Sequence, residues 1–397
     1  MENIVDSLTD ATRPTFLIGE VPPMEGTTPG AAQEICTKFV NRARSIPVDG
    51  YIIYDIQDEE SRSSEPRPFP FRQLTDPSGY AALVRATSGK PTVVYKCIAD
   101  NEFENWLQRC ENVHGHQAIN VVGRASSKGD IKQIGPSMNE AMAIVQDKSN
   151  LAFGCVCIAE RHTQEYAQSR GHAAPREHEN LLRKQAAGAQ WFISQAVYDP
   201  IPTVALLRDY AAACKERGLK PKKIVLTFTP VSRPKTMNFL HWLGVQVPEE
   251  TKNAILEQET PQQRVDKSVQ LLCDCLDYIL TETKSLEVPI GISVESVSIY
   301  KAEINAVHEL FAKLQQRVLD ARNLRWTVQW IDIALPRRPS QSNLSIVQAS
   351  PRQHIKTNDD KESSTSSNIS LMHEPFAMLA LGATIMAIGV IIGSKFH

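Results

Sequence analysis

Eight short apolar runs rich in β-branched residues recur between residues 15 and 294, and a longer stretch with helical periodicity follows each of them. The runs are 15–20 (TFLIGE), 50–55 (GYIIYD), 91–98 (PTVVYKCI), 118–122 (AINVV), 153–158 (FGCVCI), 191–195 (WFISQ), 223–228 (KIVLTF) and 288–294 (VPIGISV). Most are continuously apolar, the pattern of strands buried on both faces. Helical periodicity falls at 30–44, 102–112, 177–188, 200–217, 261–282 and 300–319. Parallel strands need crossover connections, so this alternation predicts an α/β fold, a (β/α)8 TIM barrel over residues 1–333. An open doubly wound sheet is the alternative.

In such a barrel the site lies where the strands end, which singles out Glu20, Asp55, Arg124, Glu160, Gln195, Thr229 and Glu295. Any one of these could equally satisfy loop backbone groups. The 43 lysines and arginines are scattered among 45 acidic residues, leaving a net charge of −2 and no basic face for nucleic acid. The eight cysteines lack the two-residue spacing of a zinc or redox motif and read as buried thiols of a reducing compartment. No metal site is expected, since the ten histidines, His114 with His116 and His172 with His178 among them, show no recognised ligand spacing. Neither a GxGxxG nor a GxxxxGK[ST] loop occurs.

From 334 to 374 the composition turns to Pro, Ser, Gln, Asn and charge, as in PRRPSQSNLS and DDKESSTSSN, which predicts a disordered polar linker. Residues 376–393, FAMLALGATIMAIGVIIG, are 18 positions without a charge. That length suffices for a membrane-crossing helix, so 375–397 is expected to be a C-terminal anchor. The barrel would then sit in the cytosol, tail-anchored to the mitochondrial outer membrane or the endoplasmic reticulum. Gly389 and Gly393 form a small-xxx-small pair that would suit a homo-oligomer.

Three segments resemble the methylenetetrahydrofolate reductase family. They are GEVPPMEGT at 19–27, NLLRKQAAGAQWFISQAVYD at 180–199, and KIVLTFTPVSRPKTMNFLHWLGVQVPEETKNAILE at 223–257. The likeness spans the barrel but neither the linker nor the anchor. It implies reduction of 5,10-methylenetetrahydrofolate to 5-methyltetrahydrofolate, with FAD relaying hydride from NADH or NADPH. By the same resemblance, Glu20 is the acid at the folate and Gln195 its hydrogen-bonding partner, while Glu160, His162, Glu177, Asn180, Arg183 and Lys184 surround the flavin. Three departures stand out. Glu20 lies one residue nearer Pro22-Pro23 than the family's glutamate, and a slip of one turns a strand side chain to the other face. Arg124 replaces the aspartate expected near the flavin ring, and Ser293-Val294-Glu295-Ser296 replaces an aromatic segment. Two other activities therefore stay open: a membrane-tethered folate-binding or regulatory barrel that has lost reduction, and another folate one-carbon transferase.

Overall fold

A computed structural model describes residues 3–58, 65–123 and 134–322. The linker, the anchor segment 376–393 and Arg124 lie outside the described residues. Among the described residues, no helix is long and apolar enough to cross a membrane.

A short helix α1 (Ile4–Thr9) precedes the alternation β1 (Phe16–Glu20), α2 (Pro29–Ala43), β2 (Gly50–Ile53), α3 (Pro77–Ser88), β3 (Thr92–Cys97), α4 (Phe103–Gln108) and β4 (Ala118–Val122). It continues through α5 (Met138–Lys148), β5 (Ala152–Cys157), α6 (Gln164–Ser169), α7 (Glu177–Ala186), β6 (Trp191–Ala196), α8 (Pro200–Glu216) and β7 (Lys223–Phe228). Last come α9 (Pro234–Trp242), α10 (Glu249–Leu256), α11 (Pro261–Glu282), β8 (Ile290–Val294) and α12 (Lys301–Ala321). The strands close in sequence order, all parallel, with Leu17 of β1 opposite Ser293 of β8. The barrel reading holds, and an open sheet is excluded.

Several helices begin where the chain supplies a cap for them. Thr28, Asp76, Asp199 and Thr260 accept backbone N–H groups as N-caps, each ahead of a proline whose fixed φ suits the first turn. Ser137 with Glu140, and Thr260 with Gln263, close reciprocal capping boxes.

Alternation sorts each strand into an outer and an inner set. Outer side chains meet helices: Tyr51 packs on Phe39 with ring centres 5.2 Å apart, Phe192 on Tyr210 at 6.1 Å, and Cys155 Sγ lies 4.0 Å from Met142 Sδ. The lower end of the barrel is shut by α1. A Cβ on Gly50 would stand 2.7 Å from the Pro91 carbonyl oxygen and 2.9 Å from Ile4 Cδ1, so the glycine is required by the neighbouring backbone and also leaves room for the helix. Lys223 at the start of β7 donates to the Ser7 carbonyl and, at 2.8 Å, to Thr15 Oγ1. Burial lowers this ammonium's pKa to about 8.

Candidate functional site

At mid-height the interior turns polar. Tyr95, Asn120 and Gly154 are successive register partners across β3, β4 and β5, so their interior positions form one row. Trp191 of β6 lies across Gly154, where a Cβ would stand 2.0 Å from the indole Nε1. Between the two aromatic residues Asn120 is wholly buried. Neither end of its carboxamide has a partner among the described residues, and Trp191 Nε1 is equally unmatched.

On the facing side, Tyr54 meets Tyr95 edge to face at 4.6 Å. The Tyr54 ring and Glu295, just beyond β8, converge on Gly19 of β1. A Cβ there would fall 2.6 Å from Tyr54 Cε2 and 2.8 Å from Glu295 Oε2. Glu295 is 1% exposed and its Oε2 has no partner among the described residues. Burial raises its pKa to about 8, partly opposed by a hydrogen bond from Tyr54.

Nearer the rim stand Gln195 and Thr229. A register shift between Ile193 and Ala196 bends β6, and Ser194 Oγ accepts the Thr227 N–H in place of a ladder bond. Gln195 then donates from Nε2 to the Leu243 carbonyl at 3.0 Å, and its Oε1 has no partner among the described residues. Thr229 Oγ1 is likewise unmatched, although its carbonyl accepts the Tyr198 hydroxyl. Leaving one buried polar group unpaired costs about 1–3 kcal/mol. Five such groups on one interior surface are the mark of a place where a polar ligand or ordered water completes the set.

The rim itself is braced. Asp55 accepts the Cys97 N–H at 2.9 Å and faces Lys96, which also pairs with Asp100 at 2.7 Å. Above β7, Glu303 of α12 accepts from the Ser232 and Arg233 N–H groups, Ser232 Oγ and Thr236 Oγ1, fixing the segment that leads into α9. Leu243, the partner of Gln195, directly follows α9.

Glu20 requires a correction of position. Gly19 takes the interior site of β1, so the next residue faces outward, where Arg42 of α2 and Tyr80 of α3 act electrostatically with it. Glu20 and Gln195 are thus not brought together. Burial raises the Glu20 carboxyl to about 8 among the helices.

The six described flavin candidates gather on one flank of the barrel, around the end of β5 and the start of α7. Glu160 is buried in the turn Ala159–Arg161, its pKa pushed up to about 7 by burial. His162 Nε2 lies 2.9 Å from Asp209 Oδ2, and its ring stands edge-on to His178. Glu177 accepts from Asn180 Nδ2 at 2.9 Å, and Lys184 donates to the Val156 carbonyl at 2.6 Å, tying α7 to β5. Arg183 donates to Asn139. Glu177, Asn180 and Arg183 border a cavity of about 580 Å³ together with Arg161, Arg170 and Arg176.

The buried carboxyls set a pH dependence of stability. Glu295 and Glu160 bind a proton more tightly in the folded barrel than in the open chain, so stability must fall as pH rises toward their folded values. Each fully buried group contributes at most about 1.4 kcal/mol per pH unit. Buried His116, lowered to about 4, acts in the opposite sense only below its ordinary value near 6.5. The melting temperature is therefore expected to drop by several degrees between pH 6.5 and 8, and by less in Glu295→Gln. A flat profile over that window would show that these carboxyls are ionised in the fold.

No family model and no curated protein matches the chain. Among solved structures, it is similar to an uncharacterized protein from Clostridium thermocellum that binds two copies of 5-methyl-5,6,7,8-tetrahydrofolic acid. The identity is 27% and the TM-score 0.63, over 78% of this chain and 97% of the other. A dihydropteroate synthase from Xanthomonas albilineans aligns over 77% of this chain and 93% of its own, at 14% identity and a TM-score of 0.39. Values that low bear on neither site nor function.

Proposed function

We propose that this barrel binds a reduced folate of the 5-methyltetrahydrofolate class at the polar layer between Gly19, Tyr54, Asn120, Trp191 and Glu295. The observation that carries the reading is the 27% identity to a 5-methyltetrahydrofolate-binding protein over 97% of that protein's length. Two features of the interior support it. A reduced pteridine presents an edge of alternating donors and acceptors, and the unpaired carboxamide, indole N–H and carboxyl group offer complementary partners. The aromatic pair Tyr54 and Tyr95 supplies apolar surface for the rings. Isothermal titration of the full-length chain with 5-methyltetrahydrofolate should give saturable binding in the micromolar range. Absence of binding heat at several temperatures, in folded protein, would defeat the proposal.

A second reading, folate reduction, is favoured by one observation: the arginine-lined cavity beside α7. FAD bound there would carry hydride from NADH or NADPH to the folate. Arg161, Arg170, Arg176 and Arg183 suit its pyrophosphate, and Asn180 suits a ribityl hydroxyl. Lys184 is already engaged by the Val156 carbonyl, which leaves the guanidinium groups to supply the charge. Flavin absorbance in the purified full-length chain with folate-dependent oxidation of a reduced nicotinamide would support reduction. Colourless protein that binds folate without turnover would leave the binding role alone.

A further inference from the structure

We infer that Glu295 is the ligand-facing acid of this barrel, and that it works from the space left open at Gly19. The inference rests on the folate-binding proposal and assigns the group that would meet the pteridine.

Glycine at position 19 is there for room. It lies within a regular strand, paired with Ile52, and no left-handed backbone angle demands it. Its absent side chain is where Glu295 and Tyr54 come closest, so strand one cedes its last interior position to a residue arriving from strand eight.

The hydrogen bonding of Glu295 separates it from a structural carboxylate. This fold contains such a carboxylate for comparison. Glu303 is also fully buried, but both its oxygens are engaged: Oε1 accepts the Ser232 and Arg233 N–H groups and the Ser232 hydroxyl, and Oε2 accepts the Thr236 hydroxyl. Among the described residues the Glu295 side chain has no backbone donor, and its Oε2, set against Gly19, has no hydrogen-bond partner. Among the described residues, the titratable groups facing it are Tyr54, just past β2, and Tyr95 from β3, both held neutral by burial. Among the described residues, no cation contributes to its charge balance. A carboxyl in that setting keeps its proton at neutral pH, which makes it a hydrogen-bond donor to an acceptor such as a ring nitrogen or lactam carbonyl. Glu20, one residue along from Gly19, cannot supply this contact because it faces Arg42 outside the barrel.

The test compares four full-length chains, each first shown to be folded by its melting curve: wild type, Glu295→Gln, Glu295→Ala, and the exchange Gly19→Glu with Glu295→Gly. Each is titrated with 5-methyltetrahydrofolate from pH 6.5 to 9. Wild-type affinity should be flat up to about pH 7.5 and fall roughly tenfold per unit above 8, as the donor is lost. Glu295→Gln, still a donor, should stay within about threefold of wild type and lose the pH dependence. Glu295→Ala should bind about 10- to 100-fold more weakly, and the exchange should recover part of that loss. Wild-type affinity in Glu295→Ala, or a pH profile unchanged in Glu295→Gln, would overturn the inference while leaving folate binding intact.

If wild type binds no folate, the folate-binding proposal fails, and infrared difference spectra of wild type against Glu295→Gln still decide the state of the acid. A neutral carboxylic C=O band at pH 6 that disappears by pH 9 supports a donor. A carboxylate signature throughout overturns it.

Discussion

Replacing Glu303 with alanine is expected to cost about 3–5 kcal/mol of folding free energy, among the largest losses any single substitution in this barrel should produce. The carboxylate is wholly buried, and its removal orphans two backbone N–H groups and two hydroxyls at once. Those donors belong to Ser232, Arg233 and Thr236, the residues that turn the chain from β7 into α9. The damage should therefore spread to Gln195, whose carboxamide is aimed by the carbonyl of Leu243 just past α9. Denaturant unfolding measures the first effect, and Glu303→Gln, which retains acceptor capacity on one side only, should lose an intermediate amount. An alanine variant within about 0.5 kcal/mol of the parent would mean that water reaches these donors and that the network is not what holds the rim.

The second large effect runs in the opposite direction for stability and for binding. Asn120→Leu replaces an unpaired buried carboxamide by an apolar group of similar volume, so the barrel should become about 1–3 kcal/mol more stable. For a domain of this size that corresponds to a rise of roughly 2–5 °C in melting temperature. Affinity for 5-methyltetrahydrofolate should fall about 10- to 100-fold, because the substitution removes both a donor and an acceptor from the interior row. Differential scanning calorimetry and titration on the same preparation read both quantities. If stability falls and affinity does not, Asn120 is a structural residue paired through water, and the row it belongs to is not a ligand surface.

The course of the backbone was readable because it rests on local chemistry. Ala118–Val122, Lys223–Phe228 and Pro261–Glu282 begin and end where their apolar runs and caps do. β2 and β8 were read too long: Asp55 and Val288 lie outside the strands, and Tyr54 and Pro289 keep only one backbone hydrogen bond each to the neighbouring strand. The interior was far less readable. Whether Gly19 or Glu20 faces inward is a matter of strand phase, which one sequence leaves open where both residues end an apolar run. Asn120 hides within a continuous apolar stretch, and nothing local distinguishes it from an outward-facing residue. Gly154 and Trp191 make sense only as a pair, and they meet across two strands with a whole βα unit between them. Glu295 stood at the close of the eighth run, but its partner is the missing side chain of a glycine on the first.

The floor of the barrel has a consequence for how the chain must be made. Ser7 and Lys223 are 216 residues apart, yet they share the hydrogen bond that seats α1 beneath the strands. Ribosomes add about 5–20 residues per second, so the plug waits on the order of 10 to 40 s for its anchor to emerge. The first strand waits longer still, because its second edge is β8. Throughout that interval Ile4, Leu8 and Phe16 have no barrel to enter, and the nascent chain carries these apolar side chains beside a half-paired strand edge. Synthesis of this protein should accordingly depend on chaperone occupancy of α1 and β1 more than on any later segment of the barrel.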